Sequence, residues 1–334
     1  MKILIATPLY PPDIGGPAEY AKNLEQEFRK LGHRVQVIKF SDIKHWPSGL
    51  RHLIYFSKIL PIMFWADWCL ALDTFSVGLP TVLASKLFRK KIIIRTGGDF
   101  LWEQYVERTG KLILLRNFYQ TELDFFSNKE KFIFKLTKWI LGHTTTIIFS
   151  TDWQRQIWLK PYSLNLTKTA IIENYYGSKE MSDEPKHKVF ISGTRSLKWK
   201  NKKRLHQTFS AAKVEDPALI LDDENAPYEQ FIKKIKECYA VALISLGDIS
   251  PNLILDALRF SKPFILTKEN GLNNRLGNLA VLVDPEDEKD VEAKILWLSN
   301  ANNYRQAIEK IKQFNFTRLW SEIAEEFVAL AQKI

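Results

Sequence analysis

The residues best suited to bind an anionic ligand form a basic run in the second half of the chain. Gly193-Thr194-Arg195 follows an apolar stretch typical of a buried strand, and Lys200 comes five residues later. An arginine guanidinium offers a planar fork to phosphate oxygens, whereas a lysine offers a point charge. A charge run is usually a solvated face, but this one begins where a strand ends, which is where ligands bind in open α/β folds. The pattern therefore favours a phosphate-binding site.

Two aspartates form the second candidate group. Asp256 falls within a predicted helix opened by Ser250 and Pro251, because serine caps helix N-termini well and proline suits the first helical position. Asp248 precedes this helix, in the loop after an apolar strand. The spacing predicts that Asp248 reaches a ligand beyond the strand end and that Asp256 accepts hydrogen bonds from ligand hydroxyls. Two acids at this spacing are also common by chance, so two ordinary carboxylates are the alternative.

Two glycine pairs in the first half also follow predicted strands. Gly15-Gly16 lies before the first helix, where glycine lets a ligand approach the backbone and the helix N-terminus attracts anions. A plain turn is the alternative. Gly97-Gly98 precedes two acids, Asp99 and Glu103. These acids either line a ligand site or begin a helix, with Asp99 as its N-cap.

The sequence offers little for metal or dinucleotide chemistry. Its six histidines are scattered, and it has no His-Glu-x-x-His, Asp-x-Asp, G-x-G-x-x-G or P-loop motif. Its two cysteines, Cys69 and Cys238, cannot form a disulfide framework or a four-ligand zinc site. We therefore expect no metal and no cofactor, and we expect both cysteines to be buried in a protein of the reducing cytoplasm.

The elements that must position these residues alternate between strand and helix. Lys2–Thr7 is an apolar strand, Ala18–Leu31 has helical apolar spacing and Val35–Phe40 is a second strand, which together form a βαβ unit. The alternation continues to Asn174 and resumes at Val189. It predicts an α/β fold with two doubly wound, Rossmann-like domains facing a cleft. The predicted divisions are an N-terminal domain 1–177, a linker 178–188, a C-terminal domain 189–316 and an amphipathic helix 317–334.

Length and charge agree with this plan and indicate the kind of partner. The 334 residues suffice for two domains, and 46% hydrophobic residues exclude disordered and collagen-like classes. The net charge is +10, and residues 1–177 account for +9 of it. That half is therefore expected to meet something anionic. The basic residues are dispersed and form no nucleic-acid-binding motif, so nucleic acid is not the expected partner.

The segment Lys111–Leu141 combines basic and aromatic residues, a composition that suits anionic lipid headgroups. We therefore expect a cytoplasmic protein that binds peripherally to the inner membrane face. The alternative is that these aromatics pack in a core. The most apolar window, Leu53–Leu72, contains Lys58, Pro61 and Asp67 and is a poor membrane span.

The order of these motifs resembles the retaining GT-B glycosyltransferases of family 4. The resemblance spans almost the whole chain and lies in order and spacing rather than in any single motif. Both family glutamates are aspartate here, and Asn201 stands where glycine usually follows the lysine. The residues that carry the resemblance are Gly15-Gly16, Ser150, Ile172-Glu173-Asn174, Arg195-x4-Lys200, Asp248-x7-Asp256 and the strand at Lys262-Pro263.

The resemblance implies a nucleotide-sugar donor, held mainly by the C-terminal domain, and a glycan or lipid-linked acceptor, held mainly by the N-terminal domain. It also implies that the C-terminal helix packs back toward the N-terminal domain. Arg195 and Lys200 would hold the donor diphosphate, Asp248 the sugar hydroxyls and Asp256 the ribose. The full implied set is, for catalysis, Asp248, Arg195, Lys200 and Asp99; for the donor, Gly15, Gly16, Arg195, Lys200, Asn252, Leu253 and Asp256; and for the acceptor, Gly98, Asp99 and Glu103.

In such a reaction a fixed arginine and lysine stabilise the departing diphosphate without a metal ion, and the leaving phosphate itself accepts the acceptor proton. Two other functions fit part of the pattern. A non-hydrolysing nucleotide-sugar epimerase also uses two such domains, although no convincing acid/base pair is present. A catalytically silent nucleotide-sugar-binding protein would fit the replacement of glutamate by aspartate.

Overall fold

The polypeptide folds into two units, and the chain passes between them several times. The computed structural model describes residues 1–13, 15–193, 196–224 and 226–334. Unit 1 contains Met1–Leu101, Leu123–Tyr175 and Arg318–Ile334, and unit 2 contains Trp102–Glu122 and Tyr176–Thr317.

The described residues form parallel strands alternating with helices. The strands are β1 (Lys2–Thr7), β2 (Arg34–Lys39), β3 (Trp68–Ala71), β4 (Lys91–Thr96), β5 (Thr146–Phe149), β6 (Thr169–Ile171), β7 (Lys188–Ile191), β8 (Leu219–Asp222), β9 (Ala240–Leu243), β10 (Phe264–Thr267) and β11 (Val281–Val283). The helices are α1 (Gly16–Lys30), α2 (Ser48–Trp65), α3 (Gly78–Phe88), α4 (Phe100–Thr109), α5 (Leu115–Thr121), α6 (Asn128–Gly142), α7 (Asp152–Leu159), α8 (Lys202–Glu215), α9 (Tyr228–Glu237), α10 (Asn252–Arg259), α11 (Asn273–Leu276), α12 (Glu288–Ser299), α13 (Ala301–Gln313) and α14 (Trp320–Lys333).

Unit 1 is built on a six-stranded parallel sheet in the order β2-β1-β3-β4-β5-β6. Strand β1 is paired on both sides, with Ile3 opposite Val35 in β2 and Trp68 in β3. Helices cover both faces of such a sheet, so its inner strands are continuous apolar runs rather than alternating ones. The run Ile3–Ala6 is accordingly fully buried.

The C-terminal helix α14 packs on unit 1, as the resemblance implied. Ile323 and Phe327 are fully buried, and Phe327 contacts Phe28 of α1 edge to face at 6.5 Å between ring centroids. Trp320 contacts Tyr20 in the same manner at 5.1 Å. The apolar side of α14, which the amphipathic pattern of the sequence predicted, therefore packs into the core of unit 1.

Unit 2 contains a five-stranded parallel sheet in the order β11-β10-β9-β7-β8. Strand β9 is central, with Val241 opposite both Ile191 of β7 and Phe264 of β10. All three side chains are buried. The two parallel sheets confirm the predicted α/β class with two doubly wound domains.

Residues Trp102–Glu122 lie in unit 2, although the sequence analysis placed them in the N-terminal domain. Several apolar side chains of this segment are buried there; Trp102, for example, packs against Trp199 at 5.2 Å between ring centroids. Sequence periodicity shows that such a segment has a buried face, but it does not show which sheet that face covers.

Helix α2 covers much of the most apolar window of the sequence, and its inner face packs into unit 1 through Tyr55, Ile59 and Met63. In the described part of the chain, none of the helices is both long enough and apolar enough to cross a bilayer.

Candidate functional site

Two of the candidate donor residues of unit 2 lie in loops that follow strands: Lys200 comes after β7 and Asp248 after β9. Lys200 closes a short 3-10 helix, Lys198–Lys200, between β7 and α8. The next residue, Asn201, has φ +58°, a left-handed conformation that asparagine tolerates better than most other residues. Its buried side-chain amide donates hydrogen bonds to the carbonyls of Ile244 (3.2 Å) and Pro285 (2.8 Å). Asn201 therefore adopts a backbone conformation that otherwise favours glycine, and its side chain fixes the turn at Lys198–Lys200 beside the end of β9.

Lys200 and Asp248 form an ion pair. The Lys200 ammonium lies 2.9 and 3.1 Å from the two Asp248 carboxylate oxygens. Their side chains are only 11% and 10% exposed, and the ammonium also lies 4.2 Å from the centroid of the Trp199 ring. A largely buried pair interacts more strongly than a surface pair. The structure thus brings together one residue assigned to the diphosphate and one assigned to the sugar.

Backbone hydrogen bonds hold Asp248 in place. Its N–H donates to the carbonyl of Glu269 (2.9 Å), and its own carbonyl accepts from Gly271 N–H (3.0 Å), so that Asp248 bridges to Asn270 as parallel strands do. Asn270 is buried and donates to the Thr267 carbonyl at 2.6 Å. Glu269 and Asn270 were not among the residues predicted from the sequence. Their position directly after the apolar strand β10 is the signal that could have found them.

Asp256 lies on α10 among apolar neighbours. Burial raises the pKa of its carboxyl to about 7, and the nearby Arg259 opposes this rise. None of the residues described donates a hydrogen bond to the Asp256 carboxylate. Asn252, at the start of the same helix, is exposed, whereas Leu253 is buried. Among the described residues, the Asp256 carboxyl is therefore surrounded by apolar side chains without a hydrogen-bond donor.

The two candidate loops of unit 1 differ in character. Gly15 has φ +144°, a conformation that favours glycine, and its carbonyl accepts from Ala18 N–H in the first turn of α1 (3.0 Å). Asp99 is buried immediately before α4, and the indole N–H of Trp158 donates to its carboxylate at 2.7 Å. Gln154 donates from its amide to the Gly98 carbonyl at 3.1 Å.

Helix α7 therefore holds the Gly98-Asp99 loop through Gln154 and Trp158, two contacts that the sequence did not reveal. Glu103 belongs to the part of α4 that lies in unit 2, whereas Gly98 and Asp99 belong to unit 1. Arg195 lies outside the described residues.

Both cysteines are buried, as expected. Within the described ranges, no group of three His, Cys, Asp or Glu side chains is arranged to hold a metal ion.

No protein-family model matches the chain, and no curated protein sequence matches it. Solved structures do. Anabaena HepE in complex with UDP-glucose is 12% identical and superposes with a TM-score of 0.68 over 100% of both chains. Sucrose-phosphate synthase from Thermosynechococcus elongatus is 12% identical, with a TM-score of 0.69 over 99% of this chain and 98% of that one. The lipopolysaccharide outer core galactosyltransferase WaaB is 14% identical, with a TM-score of 0.65 over 100% of both chains.

The chain has the two-domain GT-B fold. Agreement over the full length of each chain, together with one six-stranded and one five-stranded parallel sheet, supports this assignment. At 10–14% identity the similarity describes the backbone, and the chemistry of this GT-B protein depends on its own side chains.

Proposed function

We propose that the protein is a retaining glycosyltransferase of the family 4 type, which transfers a sugar, most simply a hexose, from a nucleotide-diphosphate donor to a hydroxyl acceptor. The buried Lys200–Asp248 pair at the carboxyl end of the unit 2 sheet carries this proposal. In this pair, the Lys200 ammonium can bind a phosphate, and the adjacent Asp248 carboxylate can accept hydrogen bonds from sugar hydroxyls. The UDP-glucose in the complex of the structurally similar HepE supports the choice of a nucleotide sugar.

Each donor group has a proposed partner in unit 2. Lys200 and Arg195 bind the diphosphate, Asp248 accepts hydrogen bonds from sugar hydroxyls and Asp256 accepts them from the ribose. Asn252 and Leu253 contribute the adjacent start of α10. From unit 1, the resemblance assigns the Gly15-Gly16 loop to the donor as well.

The proposed chemistry follows from the charges of these side chains. As the bond between the sugar and the diphosphate breaks, negative charge grows on the leaving oxygen, and Lys200 can strengthen its contact there because it is already fixed by Asp248. The acceptor hydroxyl attacks the anomeric carbon from the face that the phosphate leaves, and its proton passes to that phosphate. A glycan or lipid-linked acceptor, as in cell-envelope polysaccharide synthesis, is proposed to use Gly98, Asp99 and Glu103.

Thermal shift with UDP-, GDP-, ADP- and TDP-sugars identifies the donor, because a ligand present at a hundred times its Kd stabilises the folded state by about 2.7 kcal/mol. Release of nucleoside diphosphate is then measured with and without candidate acceptors and with a chelator. We expect release that depends on acceptor and persists in the chelator. Conversion of the donor sugar without acceptor would instead indicate an epimerase, and binding without either reaction a silent sensor. Loss of activity in the chelator, with recovery on adding magnesium, would contradict the metal-independent mechanism.

We also propose that unit 1 binds anionic membrane surfaces through α6. Phe118 and Phe126 are buried, which rules them out as membrane contacts, but Phe125 and Phe132 are 68% and 63% exposed. Three exposed lysines accompany Phe132 on one side of α6, at helical spacing: Lys131, Lys135 and Lys138. A fourth, Lys129, is exposed in the first turn of the helix. A basic helix face that carries an exposed aromatic suits an anionic interface. This face, the "α6 basic face", supports a lipid-linked acceptor and peripheral attachment at the cytoplasmic side of a membrane.

A further inference from the structure

One segment of unit 2 packs against all three loops that form the candidate donor site. This segment, Trp102–Glu122, comprises most of α4, a turn and α5, and is called the α4–α5 segment below. It lies in unit 2 although the residues before and after it in sequence lie in unit 1.

Its first contact is with the loop that carries Asp248. Leu115 N–H donates to the Leu246 carbonyl at 3.1 Å, and Leu246 N–H donates to the Trp199 carbonyl at 2.9 Å. A Cβ atom at Gly247 would lie 2.6 Å from Leu115 Cβ and 3.2 Å from Trp102 Cη2. Only glycine fits here, so the residue before Asp248 lies directly against the α4–α5 segment.

Its second contact is with the turn that carries Lys200. The Glu107 carboxylate accepts from Lys198 N–H at 2.6 Å, and the Lys198 ammonium donates to the Glu107 carbonyl at 2.7 Å. The indole of Trp102 also packs on Trp199, the residue next to Lys200. The position of this turn therefore depends on α4.

Its third contact is with the loop after β10. Arg116 of α5 pairs with the Glu269 carboxylate at 3.1 Å, and the side chain of Glu269 is only 2% exposed. Burial raises the pKa of Glu269, and the positive charge of Arg116 opposes this rise. The Glu269 carbonyl accepts a hydrogen bond from the N–H of Asp248. The Arg116–Glu269 ion pair therefore helps to fix the backbone to which Asp248 is bonded.

We propose that the α4–α5 segment is a positioning element that sets the geometry of the Lys200–Asp248 pair. Its residues Arg116 and Glu107, together with Glu269 in the loop after β10, are the positioning residues. The inference rests on the proposed function, because one of the two quantities that test it is the affinity for a nucleotide sugar. None of the three positioning residues is assigned a contact with the donor; each acts through a backbone segment that carries Lys200 or Asp248. The three contacts join loops that are far apart in sequence, and displacement of any one loop alters the pair.

The test uses three variants of the full chain: Arg116→Ala, Arg116→Ala with Glu269→Gln, and Glu107→Ala. Arg305→Ala, which removes an exposed arginine of α13, is the matched control. Affinity for the nucleotide sugar selected by thermal shift is measured by calorimetry well below the unfolding temperature. Hydrogen exchange of residues 198–201 and 246–248 is measured without ligand.

We expect Arg116→Ala to weaken binding by up to about 100-fold, the size of the loss that a misplacement of about 1 Å can cause in a reaction rate, and to speed exchange in residues 246–248. The double variant should recover much of the affinity, since it removes the unpaired buried carboxylate. Glu107→Ala, at a half-buried position, should fold and speed exchange in residues 198–201. Unchanged exchange and affinity in Arg116→Ala and Glu107→Ala would overturn the positioning role. Faster exchange in a protein that binds no nucleotide sugar would instead contradict the proposed function alone.

Discussion

At the scale of single residues, Asp256 combines a cost in stability with the proposed role in donor binding. A carboxyl whose pKa is about 7 in the folded state, against 3.8 ordinarily, favours the folded protein only while it is protonated. That contribution is complete below about pH 4 and is lost as the pH rises to about 7. At pH 8 the buried charge costs up to about 4 kcal/mol. Donor hydroxyls that hydrogen-bond to the carboxylate would offset this cost.

We therefore expect Asp256→Asn to stabilise the ligand-free protein and to weaken donor binding. The gain in melting temperature over the original protein should be near zero at pH 4 and should increase up to pH 8, since asparagine does not ionise. Thermal unfolding across this range, with calorimetric titration of the donor at pH 8, measures both effects. A gain that does not change with pH, or equal donor affinity in the two proteins, would contradict the role given to Asp256.

Lys200 allows a second test at a single residue. Lys200→Ala removes a charge-assisted contact to the diphosphate, so we expect kcat/KM to fall about 10- to 150-fold, equivalent to about 1.5–3 kcal/mol. Arg195→Ala should have a similar effect. Lys202→Ala is the control, because Lys202 lies two residues away and pairs with Asp223 instead. Turnover that is unchanged in both Lys200→Ala and Arg195→Ala would refute the assignment of the phosphate site.

At the scale of secondary-structure elements, α14 connects the end of the sequence to the first βαβ unit. The chain leaves unit 2 at Thr317 and returns to unit 1 for this helix. At the start of the return, Arg318 donates to the Glu173 carbonyl at 3.1 Å, and Tyr175 stacks on Trp320 with 5.4 Å between ring centroids. The core of unit 1 is therefore completed by residues more than 290 positions from its first strand.

Phe327→Ala should destabilise unit 1 by about 3–5 kcal/mol, because it removes a fully buried aromatic ring and leaves a cavity. Denaturant-induced unfolding, followed by a signal from unit 1, measures the loss. Glu325→Ala, on the exposed side of the same helix, should change the free energy of unfolding by less than about 0.5 kcal/mol. Equal stability of the two variants would show that α14 is not part of the unit 1 core in solution.

At the scale of the whole molecule, the uneven charge is the feature with the broadest consequence. The excess of +9 in residues 1–177 includes the three lysines of the α6 basic face. Each lysine near an anionic surface contributes about 1 kcal/mol, so a few are enough for reversible binding. The attraction weakens with salt, because the Debye length is about 8 Å at physiological ionic strength.

We expect the protein to sediment with anionic vesicles at low salt, to remain soluble with neutral vesicles and to dissociate as salt rises. Lys131→Glu with Lys135→Glu should abolish sedimentation. Lys213→Glu with Lys310→Glu makes the same change in net charge at exposed positions of unit 2 and should preserve it. Equal loss in both double variants would show that net charge, not the α6 basic face, drives binding. A protein that stays in solution with anionic vesicles would have no membrane-binding face at all.

Much of this molecule could be predicted from its sequence because the relevant signals are local. Apolar runs such as Ile3–Ala6, the helical spacing of Tyr20, Leu24 and Phe28, and the amphipathic face of the last helix each reflect a neighbourhood of a few residues. Together they predict two parallel α/β domains, and the structure confirms that class. The candidate residues Lys200, Asp248 and Asp256 were also proposed from the sequence, because Lys200 and Asp248 lie in loops that follow strands and Asp256 lies in the helix after the second of these loops.

Only the tertiary structure decided which of these residues meet and what holds them. The pairing of Lys200 with Asp248 joins residues 48 positions apart, and it depends on Asn201, Glu269 and Asn270, whose contacts leave no periodic trace in the sequence. The placement of Trp102–Glu122 in unit 2 was equally hidden. A buried face can be recognised from spacing, but its partner is selected by packing against distant side chains and by hydrogen bonds to loops that the chain reaches much later.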